Sequence, residues 1–140
     1  MIGYDRAEKG NRLSFILVVD DDVAVLDSIM AALQAAGYPV RAASTGDEAL
    51  AIAIEEPPAA IVADFNMPGM DGLALVVALR DAGISAPTVM ISGAQRNGAF
   101  DMLKQQAQAL GVVATLSKPF MIEELEIAIL SSFDRPAVGE

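Results

Sequence analysis

From Phe15 to Val19 the chain reads "FILVV" without a polar break, and similar short runs return as "AAIVA", "PTVMI" and "VVATL", with a more mixed "PVRAAS" second in order. Runs this short, bounded by Gly, Pro or Asp, predict β-strands. Between them the apolar positions change period. Leu26, Ile29, Met30 and Leu33 fall at i, i+3, i+4 and i+7 of a helix predicted over Val23–Ala36, and Gly37 stands where a left-handed carboxyl cap belongs. A second helix is predicted from Gly46 or Asp47 to Glu55, stopped by Pro57 and Pro58. A third runs from Leu73 to Ala82 before Gly83. The fourth carries Phe100, Leu103, Ala107 and Leu110 on one face ahead of Gly111, and the fifth starts near Met121 with Ile122, Leu125 and Ile129.

Five strands alternating with five helices predict an α/β fold, a doubly wound parallel sheet with right-handed crossovers and helices on both faces. Four of the runs are apolar enough to be buried on both sides, whereas Arg41 suits "PVRAAS" to a sheet edge. We expect one domain over residues 13–134, a flexible tail over 1–12 and a short frayed end over 135–140.

Composition narrows the chemistry. The 140 residues contain neither Cys nor His, which removes disulfides, thiolate and ordinary zinc sites, and Ser-His-Asp or Cys-His catalysis. Carboxylates, hydroxyls and Lys remain. A net charge of −10 argues against unaided binding to nucleic acid or anionic membrane. No apolar run approaches the roughly 18 residues of a membrane span, and the polar opening is unlike a secretory signal, so a soluble cytoplasmic protein is expected.

Ligands of such a sheet bind beyond the carboxyl ends of its strands. There the first strand delivers Asp20 and Asp21, the third Asp64, the fourth Ser92 and the fifth Lys118. Three crowded carboxylates repel one another, and a hard divalent cation such as Mg²⁺ relieves that repulsion while accepting oxygen ligands. One carboxylate then serves as nucleophile toward a phosphoryl group, whose remaining oxygens find partners in a hydroxyl and an ammonium. Asp22 reads as the N-cap of the first helix rather than a further ligand. "MPGMDG" reads as a shaped turn, with Met67 and Met70 as packing residues, and "IEELE" as a solvated helix face.

The motifs "VVDDD", "DFNMPGMDG", "ISG" and "SKPF", in this order at these strand ends, resemble the receiver domain of two-component response regulators from about Leu13 to Phe133. The resemblance implies a flavodoxin-like sheet in the order 2-1-3-4-5. It implies that Asp64 accepts phosphate from a histidine kinase or phosphotransfer protein. Mg²⁺ would be held by Asp20, Asp21, Asp64 and the backbone carbonyl of Asn66, with Ser92 and Lys118 receiving the phosphoryl group and a cis bond between Lys118 and Pro119. Catalysis would be limited to the protein's own phosphoryl transfer and dephosphorylation.

Two departures matter. Thr115 stands at the switch position, where receivers of this kind usually carry an aromatic residue. The 26-residue interval from Ser92 to Lys118 is long and includes "GAQRNGAF", a candidate moving element or partner contact. The expected function is a stand-alone receiver that switches protein binding, with an unidentified downstream protein, no nucleic acid and no membrane as partners. The missing aromatic keeps open an interaction module working without phosphate. A Mg²⁺-dependent phosphatase is weaker, because Asn66 replaces the second aspartate that such chemistry commonly uses as general acid.

Overall fold

The computed structural model describes residues 14–93 and 98–133. Five strands alternate with five helices: β1 (Ile16–Val19), α1 (Val23–Ala35), β2 (Val40–Ala43), α2 (Gly46–Glu55), β3 (Ala60–Asp64), α3 (Gly72–Asp81), β4 (Thr88–Ser92), α4 (Gly98–Ala109), β5 (Ala114–Ser117) and α5 (Ile122–Phe133). All strand pairs are parallel and the order is β2-β1-β3-β4-β5, the flavodoxin-like arrangement expected.

Alternation along the central strands divides the core. Leu17, Val19, Ile61 and Ala63 pack under α2 and α3 with Ala49, Ala53, Leu75 and Leu79. Ile16, Val18, Val62, Val89 and Ile91 face the other way, against Leu26, Ile29 and Leu33 of α1 and Leu125 and Ile129 of α5. A third cluster joins Val76 of α3, Met90 of β4, Leu103 and Ala107 of α4, and Val112. Each strand is too short to reach far, so the register of β1 with β3, Val19 beside Ala63, brings their carboxyl ends level.

Local chemistry sets the helix starts. Asp22 caps α1, its side chain accepting from the amides of Ala24 and Val25 as expected; Thr45 accepts from Glu48 N at the start of α2 and Asp71 from Ala74 N at the start of α3. Gly37 closes α1 at φ 96°. The Lys118–Pro119 bond is cis, also as expected.

Several boundaries differ from expectation. β5 starts at Ala114 rather than Val112, because the Val112 amide closes the end of α4 on the carbonyl of Ala107. It is also only half-buried along its length, since it forms the second sheet edge opposite β2. α3 starts at Gly72, one residue early, once Asp71 serves as its cap. α4 starts at Gly98, whose small residues carry no hydrophobic pattern. The expected tails and residues 94–97 of "GAQRNGAF" lie outside the described residues.

Candidate functional site

Four strand ends meet at one rim. Asp20 follows β1 and is 1% exposed; Asp64 ends β3 and is 3% exposed. Asp21 is exposed, and one oxygen from each of the three carboxylates lies within 4.8 Å of the others. Lys118, following β5, reaches across β4 to both buried carboxylates, with Nζ 3.4 Å from Asp20 Oδ2 and 3.2 Å from Asp64 Oδ1. The main chain fixes that reach, because the Lys118 amide donates to the carbonyl of Ser92 at 2.7 Å. Ser92 is fully buried at the end of β4, one residue beyond Ile91, the register partner of Asp64.

Asp20 is oriented by two contacts. Its Oδ1 accepts from the Asp22 amide at 2.9 Å, while its Oδ2 faces Lys118. Asp64 is held differently. The ammonium is at ion-pair distance from its Oδ1 but off the direction of a hydrogen bond, leaving a buried oxygen without a donor among the described residues. Burial and then the neighbouring Asp20 charge push the Asp64 carboxyl up to about 6, against the pull of Lys118 and with a smaller push from Asp21. Burial would lower Lys118, yet Asp64 and Asp20 together hold its ammonium above the ordinary lysine value.

The donor set fits a hard cation. Three carboxylates face one ammonium, so negative charge is in excess by about the charge of a divalent ion, and the buried Asp64 Oδ1 has no hydrogen-bond donor among the described residues. Asn66 is exposed two residues beyond Asp64 on the same rim. The sheet thus gathers Asp20, Asp21, Asp64, Ser92 and Lys118, with Asn66 on the adjoining loop. Thr115 is not part of that group. It pairs with Met90 and, with Lys104 and Gln108 of α4, lines a hollow on the α4 side of the sheet.

The shaped turn expected of "MPGMDG" is built on Gly72 and Gly69, and a second support, Arg80, escaped the sequence pattern. Gly72 brings α3 against the end of β3: its amide donates to the Phe65 carbonyl at 2.9 Å, and a Cβ there would lie 2.7 Å from the carbonyl oxygen of Asp64. Gly69, at φ 76°, bends the same loop, and Met67 is buried beneath it. An "xDG" before an apolar helix is the sequence signal for such an entry, but the close approach itself depends on tertiary packing. The second support, Arg80 of α3, donates from its guanidinium to the carbonyls of Ile84, Ala86 and Leu110.

The sequence profile described as the response regulator receiver domain matches residues 16–130. The chain belongs to the response regulator receiver family. Among curated relatives, this receiver is 40% identical over 110 residues to the transcriptional regulatory protein PrrA of Mycobacterium tuberculosis and 38% identical over 112 residues to the response regulator MprA of Mycolicibacterium vanbaalenii. Each alignment covers 79% of this chain and 46% of the relative, so the chain spans about half the length of the curated relatives it matches. Among solved structures, a response regulator receiver domain protein from Clostridium thermocellum superposes with TM-score 0.78 at 27% identity, covering 88% of this chain and 96% of that one. The chemotaxis protein CheY4 of Vibrio cholerae superposes with TM-score 0.76 at 30% identity, covering 86% and 99%. Receivers are signalling modules that take their input from histidine kinases and typically use Mg²⁺. No helix among the described residues is long and apolar enough to cross a membrane.

Proposed function

We propose that Asp64 accepts a phosphoryl group from the phosphohistidine of a histidine kinase or phosphotransfer protein, and that the receiver thereby switches its binding to a downstream partner. The observation carrying this reading is the setting of Asp64: a nearly buried carboxylate flanked by a second carboxylate, its Oδ1 3.2 Å from the Lys118 ammonium. As the phosphorus–nitrogen bond breaks, the electron pair stays on the imidazole and a carboxylate oxygen of Asp64 bonds to phosphorus. Lys118 is already placed beside that oxygen, and its raised pKa keeps it cationic to meet the added negative charge. Ser92, buried on the neighbouring strand, contributes its hydroxyl to another phosphoryl oxygen.

Asp20, Asp21, Asp64 and the Asn66 carbonyl would hold Mg²⁺, whose charge would offset the repulsion between these carboxylates and an incoming phosphoryl anion. The hydrogen bond from the Asp22 amide and the contact with Lys118 orient Asp20 for that role. Burial of Asp20 and Asp64 excludes competing water and strengthens each of these interactions.

The described surface is poorly suited to polyanions. Its cationic residues are Arg41, Arg80, Lys104 and Lys118, and of these Arg41 pairs with Glu56, Arg80 is turned to main-chain carbonyls, and Lys118 sits in the acidic site. The relatives are named as a transcriptional regulatory protein and a response regulator, and this chain matches about half of their length. We therefore assign to the receiver a protein-facing switch, in the cytoplasm with its kinase. Any contact with nucleic acid falls to a partner or to a segment outside the receiver. Incubation with Mg²⁺ and acetyl phosphate, followed by intact-mass analysis, tests the reading: one phosphoryl group is gained with Mg²⁺ and none after chelation. Absence of a gain with Mg²⁺ supports the phosphate-independent module that Thr115 suggests.

A further inference from the structure

One short turn touches both halves of the acidic site. It runs from Ala43, the last residue of β2, to Gly46, the first of α2. On one side the Ala43 carbonyl accepts from the Asp20 amide at 3.2 Å, which fixes the main chain where β1 delivers its acidic pair. On the other side Gly46 is buried against Met70, on the loop between β3 and α3 that carries Asn66. A Cβ at position 46 would lie 2.9 Å from both the Cβ and the carbonyl oxygen of Met70, and 3.0 Å from its Cγ. The two segments come this close only because residue 46 has no side chain.

The turn is the rigid partner in this contact. Glu48 Oε1 accepts from the Ser44 amide at 2.9 Å, and the Thr45 hydroxyl oxygen accepts from the Glu48 amide at 3.0 Å, so the start of α2 is capped reciprocally. Ala49 and Ala53 of α2 are fully buried in one cluster with Val19, Ala43 and Ala63, which leaves the helix no room to retreat. The loop has more freedom. Its Asn66, Pro68 and Gly69 are exposed, and it is held at its far end by Gly72 against the Asp64 carbonyl and along its length by Met67 and Met70, packed on the same cluster. A methyl group at position 46 would therefore displace the loop rather than the helix.

We propose that Gly46 is a positioning residue for the metal: by admitting Met70 against the start of α2, it sets where the Asn66 loop stands relative to Asp20 and Asp21. The effect on metal rests on the Mg²⁺ reading above; the grip of Gly46 on the loop does not. A turn that supplies no ligand thus holds the two ligand-bearing segments in one arrangement.

Mg²⁺ titration of the full chain, amide NMR spectra of the metal-free protein, and acetyl phosphate labelling followed by intact mass compare wild type, Gly46→Ala and Gly37→Ala. Gly37, at φ 96° with nothing within 4 Å of an added Cβ, follows the end of α1 remote from Asp22, so Gly37→Ala strains the fold without touching the loop. Gly46→Ala weakens Mg²⁺ binding about tenfold, the low end of the loss when a support behind a metal ligand is removed. It shifts the amides of residues 66–71 before any metal is added, and it labels at the wild-type rate once Mg²⁺ is saturating. Gly37→Ala binds Mg²⁺ as the wild type does. Unchanged affinity in Gly46→Ala, an equal loss in Gly37→Ala, or a labelling rate that saturating Mg²⁺ does not restore overturns the proposal. If Gly46→Ala does not fold, Met70→Ala decides, because it withdraws the side chain from Gly46 without adding an atom: weakened Mg²⁺ binding sustains the proposal and unchanged binding overturns it. A wild type that gains no phosphoryl mass counts against the acceptor reading. The grip is then decided by the metal-free amides of Gly46→Ala, where a change confined to residues 43–50 overturns it and one reaching 66–71 sustains it.

Discussion

Replacing Asp64 with asparagine should stabilise the metal-free protein at neutral pH. The unfolded carboxyl titrates near 3.8 and the folded one at about 6, raised chiefly by burial and by Asp20. A raised carboxylate pKa means that the folded state disfavours the ionised form. The cost is absent below pH 3.8, where both states are protonated, grows between 3.8 and 6, and is complete above 6. The difference of about two units corresponds to about 3 kcal/mol at 1.36 kcal/mol per unit. The attraction of Lys118 is already included in that net shift. Lys118 titrates above the ordinary lysine value, so its contribution does not vary between pH 4 and 8. Urea denaturation of wild type and Asp64→Asn, without divalent metal, at steps from pH 4 to 8 reads the effect. The variant should gain up to about 3 kcal/mol at pH 8, or about 10 °C in melting temperature for a domain of this size, with the gain fading toward pH 4. A gain independent of pH, or a variant less stable than wild type at pH 8, would refute the electrostatic account of the site.

Three further outcomes follow from the same geometry. Asp21→Ala should weaken Mg²⁺ binding at least tenfold by titration while leaving the metal-free fold as stable or slightly more so, because repulsion among the carboxylates falls; unchanged affinity would remove Asp21 from the donor set. Lys118→Met leaves Asp20 and Asp64 without their shared cation, so the Asp64 pKa should rise beyond its present value, read by NMR of the side-chain carboxyl, and phosphorylation by acetyl phosphate should slow. Gly72→Ala forces a methyl group against the Asp64 carbonyl and the Phe65 Cα, and should cost about 1–3 kcal/mol in denaturation while impairing phosphorylation; a neutral effect would show that α3 is free to shift.

Much of this architecture was legible because periodicity and burial agree. Leu26, Ile29 and Leu33 point inward on α1, and the continuous apolar runs of β1, β3 and β4 are the strands buried on both faces. The acidic and basic residues of the site were legible because each ends a strand, and parallel topology places strand ends on one rim. What was hidden depends on packing. Val112 looked like the start of β5 but closes α4, and β5 looked buried until its edge position was known. No spacing in the sequence indicates that Lys118 bridges two carboxylates, or that Arg80 joins two helix ends through carbonyls, since both contacts span 30 or more residues. The shift of Asp64 is likewise a tertiary property, set by burial and by a neighbour from another strand.

The central claim is that Asp64 is the atom-level destination of the phosphoryl group. Treating the wild type with acetyl phosphate and Mg²⁺, reducing the product with borohydride, and sequencing the resulting peptides by mass spectrometry locates the acyl phosphate directly, because reduction converts a phosphorylated aspartate to homoserine. The account predicts homoserine at position 64 alone. Homoserine at Asp20 or Asp21, or none at any aspartate, would contradict it.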